Sequence, residues 1–440
     1  MASLFAENAY LPMGWASNVR IEWEDSEILR VTPQSAPQPE DSRVETLVPA
    51  IPNLHSHAFQ RVLAGLAEST QGKEDDFWTW REAMYAVAAW INPERLYTIA
   101  VQLYGEMVAA GYNHVAEFHY LHQPHPLEMS LALIQAAKDV GIGLTLLPVL
   151  YQQGGFGRQA LQGPQKGFFL ETDEYLRLIE DLRAPCNQQI RLGWAPHSLR
   201  AVDTLTLQAV SASLGPLPCH IHISEQMKEV EQCLASYDHR PVQWLYKHMD
   251  VSAKWCLVHA THLVADEIQA ITSSGATVAL CPTTEANLGD GFFSLEAFQK
   301  LNGRWGIGSD SNSSVSPFEE LRWLEYGQRL LHRKRNIAAG KHGSSGTRLL
   351  NGCWTSASAV LDRKVGRLEV GYQADWLVLD SQNPNLFQHA HLLDALVFNG
   401  NRNPVLESWV SGRLVAQKGE ANYQDPNAFR QLLHDLRGAL

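Results

Sequence analysis

Eight short apolar runs recur along the chain, and longer amphipathic segments separate most of them. Strands that alternate with helices close into a barrel when eight such units follow one another. The pattern therefore predicts the α/β class, with a (β/α)8 TIM-like barrel at its centre. The predicted barrel strands cover residues 46–53, 114–120, 144–151, 190–197, 218–224, 255–261, 276–282 and 304–310.

Both chain ends have a different sequence pattern, in which turn residues separate short runs of alternating apolar and polar residues. The alternation runs to about residue 34 and returns over 366–380 and 405–420, which is typical of antiparallel strands joined by tight turns. We expect residues 1–45 and 366–440 to form one small β-sandwich-like domain. The catalytic barrel is then expected to occupy residues 46–365.

A Gly- and Gln-rich segment follows the third predicted strand, over residues 151–168. In barrels of this kind, the loops that follow the strands carry the functional residues. Two interpretations stay open for this segment. It is either a loop that borders the active end of the barrel or a surface loop without a functional role.

Composition excludes several classes of partner for this chain of 440 residues, which has a formal net charge of -12. Nucleic-acid binding needs clustered Lys and Arg, so the acidic balance argues against it. No apolar run approaches the roughly 20 residues needed to span a bilayer, and residues 1–15 do not resemble a signal peptide. Six cysteines without a C-x-x-C pair are typical of reduced thiols. We expect a cytoplasmic protein that binds a small molecule.

The stretch NLHSH places His55 and His57 at the end of the first apolar run. Residues two apart in a strand point to the same side, so both imidazoles can face one ion. Taken alone, the pair favours a structural interpretation, in which two polar residues stand where a strand ends and have no functional role.

Matching residues stand at other predicted strand ends, which changes the interpretation of that pair. His220 and His222 lie in the fifth strand, His259 ends the sixth, and Asp310 ends the eighth. A barrel brings the C-terminal ends of its strands to one rim, where these side chains can converge. Three histidines and one carboxylate suit a borderline ion such as Zn²⁺. The spacing does not choose between His220 and His222, since both point to one face.

The motifs PNLHSH, HIHISEQ, VHATH and GSDSN, in this order, resemble the amidohydrolase superfamily over nearly the whole chain. The deaminase branch of that superfamily carries H-x-x-E after the fifth strand. The resemblance therefore selects His222, three residues before Glu225, and leaves His220 in packing or in support of the ligands. The metal ligands that it implies are His55, His57, His222 and Asp310.

The resemblance also bears on the number of metal ions. Superfamily members with two metals usually bridge them by a lysine on the fourth strand, and IRLGWAPHS contains none. It therefore implies one divalent ion, with Zn²⁺ as the default and Fe²⁺ or Mn²⁺ as alternatives. Glu117 and His119 could support a second ion, but we favour a structural role for them.

The same resemblance assigns the proton-transfer residues. A divalent ion activates a water molecule for attack on a carbon that bears a leaving nitrogen. Glu225 would carry a proton to that nitrogen, and His259 or Asp310 would take one from the water. Which of these two is the primary base stays open.

Further stretches resemble the formimidoylglutamate deiminase family, namely HSHAFQRVLAG, FWTWREAMY, EFHYLH, APHSLRAV and CPTTEANLGDG. The expected reaction converts N-formimidoyl-L-glutamate into N-formyl-L-glutamate and ammonia in histidine degradation. Arginine suits bidentate capture of the two carboxylates of this substrate. The resemblance also implies a homodimer. The implied substrate contacts are Gln60, Arg81, Tyr120, His197 and Arg200.

Two other functions stay open. The first is deamination of a purine or another heterocycle by the same superfamily, which needs aromatic walls and amide donors more than paired arginines. The second is a non-catalytic assembly module, because barrels can lose their chemistry and keep the fold. Such a module should have lost ligands. Against it, the sequence keeps the whole expected set, His55, His57, His222, Glu225, His259 and Asp310.

Overall fold

The computed structural model describes residues 1–66, 68, 77–341, 343–386, 391–400 and 402–439. Its strands, in chain order, are β1 (Ala2–Leu11), β2 (Gly14–Glu24), β3 (Glu27–Thr32), β4 (Ser42–Pro49), β5 (Ile51–Ser56), β6 (Tyr112–His119), β7 (Gly143–Leu150), β8 (Ile190–Leu192), β9 (Ala195–Pro196), β10 (Cys219–Ile223), β11 (Trp255–His259), β12 (Thr277–Leu280), β13 (Arg304–Ile307), β14 (Trp376–Leu379), β15 (Val405–Val410), β16 (Arg413–Gln417) and β17 (Glu420–Ala421).

Helices lie between most of these strands. They are α1 (Phe77–Trp90), α2 (Pro93–Ala110), α3 (Pro126–Val140), α4 (Thr172–Asp181), α5 (Thr204–Leu214), α6 (Met227–Tyr237), α7 (Pro241–His248), α8 (Ala265–Ser274), α9 (Pro282–Leu288), α10 (Leu295–Lys300), α11 (Pro317–His332), α12 (Ser345–Ser356), α13 (Ser358–Leu361), α14 (Leu392–Phe398) and α15 (Pro426–Ala439). Short 3₁₀ helices span Ala58–Leu63 and Gly163–Phe168.

Parallel strands close into a barrel at the centre of the molecule. Strands β5 to β8 lie side by side, β9 extends the position of β8 beside β7, and β10 to β13 form a second run. Backbone bridges join the two runs, from Trp194 to Cys219 and from Ser56 to Asp310. The predicted (β/α)8 barrel is therefore confirmed, with β8 and β9 sharing its fourth position.

Local sequence explains how the chain turns between helix and strand. The Asn92 side chain caps the start of α2 by accepting the Arg95 backbone N–H. The helix ends at Gly111, whose φ of 109° is a left-handed conformation that glycine adopts without strain. The chain then enters β6, which is buried along its whole length because helices cover the outside of the barrel. Polar side chains that must meet a ligand are thus confined to the strand ends.

Both chain ends form a single eight-stranded sheet in the order β17-β16-β15-β14-β4-β1-β2-β3. The ring of Trp23 on β2 lies 4.9 Å from Trp376 on β14 and 6.1 Å from Trp409 on β15, between centroids. Because β1 and β4 separate β2 from β14, these contacts require the sheet to curl over an apolar core. The expected small β domain made by both ends is confirmed, and it consists of one curled sheet.

Two strand predictions differ from the structure. The first predicted strand, 46–53, is divided, because β4 belongs to the terminal sheet and only β5 enters the barrel. Both pieces are apolar, so hydrophobic patterning did not separate them. Of the predicted strand 366–380, only Trp376–Leu379 is a strand. The domain division at 45/46 and 365/366 stays a proposal, with β4 carrying the small sheet as far as Pro49.

The bottom of the barrel is closed by the end of α12 and by α13. The carbonyl of Ser356 accepts the hydroxyl of Thr277 at 3.2 Å, and the carbonyl of Leu361 accepts the hydroxyl of Thr145 at 2.7 Å. The cavity of the barrel therefore opens at its other end. Among the described residues, no helix combines the length and apolarity that a membrane crossing requires.

Candidate active site

Four side chains at the open end of the barrel converge on one point, and we call them the donor quartet: His55, His57, His222 and Asp310. The Nε2 atom of His55 lies 3.2 Å from that of His57 and 3.1 Å from that of His222. The Oδ1 atom of Asp310 lies 3.3 Å from Nε2 of both His55 and His57. Ligands bonded at about 2.0–2.1 Å to one tetrahedral ion stand about 3.4 Å apart, so these four distances suit a single metal ion. A ring nitrogen of His259 also lies within 4.8 Å of the donor atoms of His55, His222 and Asp310.

Two of the three quartet imidazoles, those of His57 and His222, hydrogen-bond through Nδ1 to backbone carbonyls away from the shared point. His57 Nδ1 donates to the Phe118 carbonyl at 2.8 Å, and His222 Nδ1 donates to the His197 carbonyl at 3.0 Å. Burial lowers the pKa of both histidines, which favours neutral rings whose Nε2 atoms carry lone pairs. Such lone pairs repel one another and the Asp310 carboxylate unless a cation lies among them. The donor set therefore fits a divalent metal ion.

The two histidines of β10 lie at different depths in the barrel and have different contacts. His222 reaches the quartet, whereas His220 lies two residues deeper and donates from Nε2 to the Val360 carbonyl at 2.9 Å. Burial lowers the pKa of His220 to about 4, so that hydrogen bond is made by a neutral ring. His220 thus connects β10 to the closed bottom of the barrel.

Glu117 and His119 stand outside the quartet. The carboxylate of Glu117 accepts the Ala58 backbone N–H at 2.6 Å and the Tyr104 hydroxyl at 3.3 Å, and its burial raises its pKa to about 8. It therefore holds the backbone immediately after His57. These contacts favour the structural interpretation of Glu117 over a second ion.

Glu225 and His259 lie beside the quartet. The Nε2 atom of His259 is 3.8 Å from Glu225 Oε1 and 3.7 Å from Asp310 Oδ2. Burial raises the pKa of Glu225 to about 7. Burial opposes a charge on His259, but the carboxylates of Glu225, Glu285 and Asp310 outweigh it and raise its pKa to about 10. His259 therefore stands between two carboxylates, an arrangement suited to proton exchange.

The backbone is strained where these groups leave their strands. His259 and Asp310 adopt φ angles of 66° and 46°, in the left-handed region that residues other than glycine rarely occupy. Each such conformation costs on the order of 1–3 kcal/mol. The surrounding hydrogen bonds must impose it, and strain of this kind concentrates at functional sites.

A cavity of about 320 Å³ opens above the quartet, within the size range of small-molecule sites. The side-chain amide of Gln60 donates to the Tyr120 hydroxyl at 2.8 Å, and the Nε atom of Arg200 is buried with no hydrogen-bond partner in the described structure. That guanidinium is therefore available to a ligand. All five expected substrate contacts line the cavity: Gln60, Arg81, Tyr120, His197 and Arg200.

Comparison with known proteins places this geometry in a family. A profile described as the amidohydrolase family matches residues 46–415. The chain belongs to the amidohydrolase family. A second profile, described as the N-terminal domain of formimidoylglutamate deiminase HutF, matches residues 1–45 of this amidohydrolase.

Individual relatives agree with that assignment. Formimidoylglutamate deiminase of Pseudomonas aeruginosa is 45% identical over 451 aligned residues, which cover 99% of this chain and all of the relative. A 5-methylthioadenosine/S-adenosylhomocysteine deaminase of Pyrococcus furiosus is 23% identical over 86% of this chain and 85% of its own. The crystal structure of an amidohydrolase from Brucella melitensis, 40% identical, superimposes with a TM-score of 0.94 over 99% of this chain and 100% of that one.

Sequence analysis of this amidohydrolase missed two parts of the site. Lys228 on α6 lines the cavity, three residues along the chain from Glu225. Glu285 on α9 contacts His259, and its position 26 residues along the chain carried no signal of that contact. The segment 151–168 borders the cavity through Gly154, Gly155, Phe156, Gln159 and Phe168, so the active-end interpretation of this loop is the better one.

Proposed function

We propose that this amidohydrolase hydrolyses N-formimidoyl-L-glutamate to N-formyl-L-glutamate and ammonia, in histidine degradation. The full-length similarity to the Pseudomonas deiminase and the match of the first 45 residues to the HutF domain support the proposal. The observation that carries it is a cavity with three basic side chains, Arg81, Arg200 and Lys228, above a four-donor metal site.

The charge pattern of the cavity suits a substrate with two carboxylates. Arg81 and Arg200 can each bind a carboxylate through two N–H groups, and Lys228 adds a third positive charge. The whole chain carries a net charge of -12, so cations in the cavity offset repulsion of a dianion by the surface. When these cations bind the carboxylates, the formimidoyl carbon at the other end of the substrate can approach the quartet.

The residues around the quartet can then move the protons that the reaction needs. When bound, a divalent ion supplies the Lewis-acid chemistry that makes water nucleophilic near neutral pH. Asp310 accepts a proton from the attacking water, or His259 does so when its ring is neutral, and Glu225 donates one to the departing nitrogen. The oxygen of the attacking water bonds to the formimidoyl carbon, the bond from that carbon to its terminal nitrogen breaks, ammonia leaves, and a formyl group remains.

We assign one Zn²⁺ ion to the quartet, with Fe²⁺ and Mn²⁺ as the alternatives. Three imidazoles and one carboxylate at near-tetrahedral spacing favour zinc, whereas Mg²⁺ and Ca²⁺ prefer oxygen ligands in larger shells. Quartet residues would hold the ion, and Glu225 and His259 would remain free to act on the substrate.

Compartment and assembly stay predictions. All six cysteines are free thiols and five are buried, which suits the reducing cytoplasm. The homodimer rests on the family resemblance.

A heterocycle deaminase is the second candidate, because aromatic side chains also line the cavity: Trp80, Tyr85, Tyr120, Tyr151, Phe156 and Phe168. Rings of this kind stack on purine bases. A neutral base, however, has no use for three cations in the same cavity. The dicarboxylate substrate therefore accounts for more of the lining.

The substrate assignment is tested by ammonia release from protein whose metal content has been measured. We expect release from N-formimidoyl-L-glutamate in proportion to bound metal, and no release from adenosine at the same enzyme concentration. Formylglutamate should appear in a one-to-one ratio with ammonia. Release from adenosine without release from formimidoylglutamate would replace our proposal with the second candidate.

Substitution of Arg200 by Met tests the carboxylate contact. We expect kcat/KM to fall about 10–100-fold, mainly through KM, since a charged hydrogen-bonded contact contributes about 1.5–3 kcal/mol. Steady-state kinetics of the variant provide the measurement, and the exposed Arg177 on α4, changed to Met, is the matched control. An unchanged kcat/KM for Arg200→Met would mean that the carboxylates are bound elsewhere.

A further inference from the structure

Helix α9 begins with three consecutive polar residues, and each of them bonds to a different element. Thr283 donates its backbone N–H and its hydroxyl to the buried Glu320 carboxylate on α11, at 2.9 and 2.5 Å. The hydroxyl of Thr284 accepts the backbone N–H of Ser311 at 3.2 Å and lies 2.9 Å from its hydroxyl. Because Ser311 directly follows Asp310, α9 is attached to the backbone that carries a quartet carboxylate.

Glu285, the third residue, reaches the other side of the site. Its Oε1 accepts His259 Nδ1–H at 3.2 Å and the Cys281 backbone N–H at 2.9 Å. Glu285 and His259 are 5% and 1% exposed, so water does not compete for these bonds. The carboxylate is thus fixed by the backbone of its own helix before it binds the imidazole.

The geometry points to Glu285 as a positioning residue for the proposed deimination, through the ring orientation of His259. With Nδ1–H bound to Glu285, the other nitrogen, Nε2, faces Glu225 at 3.8 Å and Asp310 at 3.7 Å. A ring held in this way presents the same nitrogen to the reaction in every turnover. This inference rests on the proposed function, since it assigns His259 a part in that chemistry.

Two substitutions separate hydrogen bonding from charge at this position. In Glu285→Gln the amide oxygen can still accept both N–H groups, so the ring orientation is kept while the charge is lost. In Glu285→Leu neither group has an acceptor, and the imidazole can turn. The matched control is Glu296→Gln on α10, a surface residue paired with Lys300 at 2.9 Å.

Kinetics with formimidoylglutamate test the inference. We expect Glu285→Leu to lower kcat about 10–100-fold, the usual effect of losing a group that orients a site histidine, with KM and metal content close to wild type. Glu285→Gln should recover most of that loss, and Glu296→Gln should equal wild type. Near-normal kcat in Glu285→Leu, or a loss that follows the loss of metal or of folded protein, would overturn the assignment.

A second measurement separates this inference from the function on which it rests. The hydrogen-bonded Nδ1–H of His259 should give a low-field proton resonance in NMR spectra, identified by its absence in His259→Asn. We expect that resonance in wild type and Glu285→Gln and not in Glu285→Leu. If wild type fails to release ammonia from formimidoylglutamate, the proposed function fails while this spectrum still reports the contact. If Glu285→Leu keeps the resonance, the positioning role fails alone.

Discussion

Glu225→Gln is expected to lower kcat on N-formimidoyl-L-glutamate by about 10²–10⁴-fold, the range that a positioned proton donor contributes. The amide has the shape of the carboxyl group but can neither give nor take the proton that the leaving nitrogen requires. Burial holds the pKa of Glu225 at about 7, so the native side chain can exchange protons near neutral pH. The loss is measured by steady-state ammonia release.

Metal content and thermal stability identify the origin of that loss. Glu225 lies outside the donor quartet, so the variant should bind as much metal as wild type and unfold at a similar temperature. The exposed Glu231 on the following helix α6, changed to Gln, is the control and should keep full activity. A kcat near that of wild type in Glu225→Gln would remove this residue from the mechanism.

His222→Asn is expected to lose both the bound metal and the activity, with kcat/KM reduced by more than about 10²-fold, because loss of a direct ligand exceeds the effect of losing a group behind one. The shorter amide cannot place a donor atom where Nε2 of His222 stands, 3.1 Å from that of His55. Elemental analysis of the purified variant, before and after incubation with Zn²⁺, measures the metal.

The sequence provides a matched control two residues away on the same strand. His220→Asn changes the same residue type in β10, but His220 bonds to the Val360 carbonyl and not to the quartet. We expect this variant to keep its metal, although its stability falls through the lost contact. Metal loss in His220→Asn together with retention in His222→Asn would exchange the roles of the two histidines.

The barrel could be predicted because each of its positions depends on local patterning, an apolar run followed by an amphipathic segment. The histidine pair of β10 could not be separated in that way, since both residues point to one face and only depth distinguishes them. The sequence did not predict Lys228 and Glu285 as parts of the site, for a different reason. Their roles depend on which loops and helices meet above the barrel, and sequence spacing does not encode such long-range contacts.

The sequence did not predict the division between β4 and β5, because burial does not specify which sheet a strand joins. Residues 47–52, where β4 ends and β5 begins, are all apolar, and only Ala50 lies between the two strands. The pairing partners make the difference. Strand β4 lies between β1 and β14, whereas β5 pairs with β6.

Strand β4 also determines when the terminal sheet can be completed during synthesis. Leu47 pairs with Ala9 from the start of the chain and with Val378 from near its end, so the strand lacks one neighbour until the last part of the chain has emerged. Bringing such distant segments together is slow, because loop closure costs entropy before any contact forms. His55 lies on the next strand, β5, and His57 follows the end of that strand. A nascent chain therefore carries half of its donor quartet long before the sheet that anchors those ligands can close.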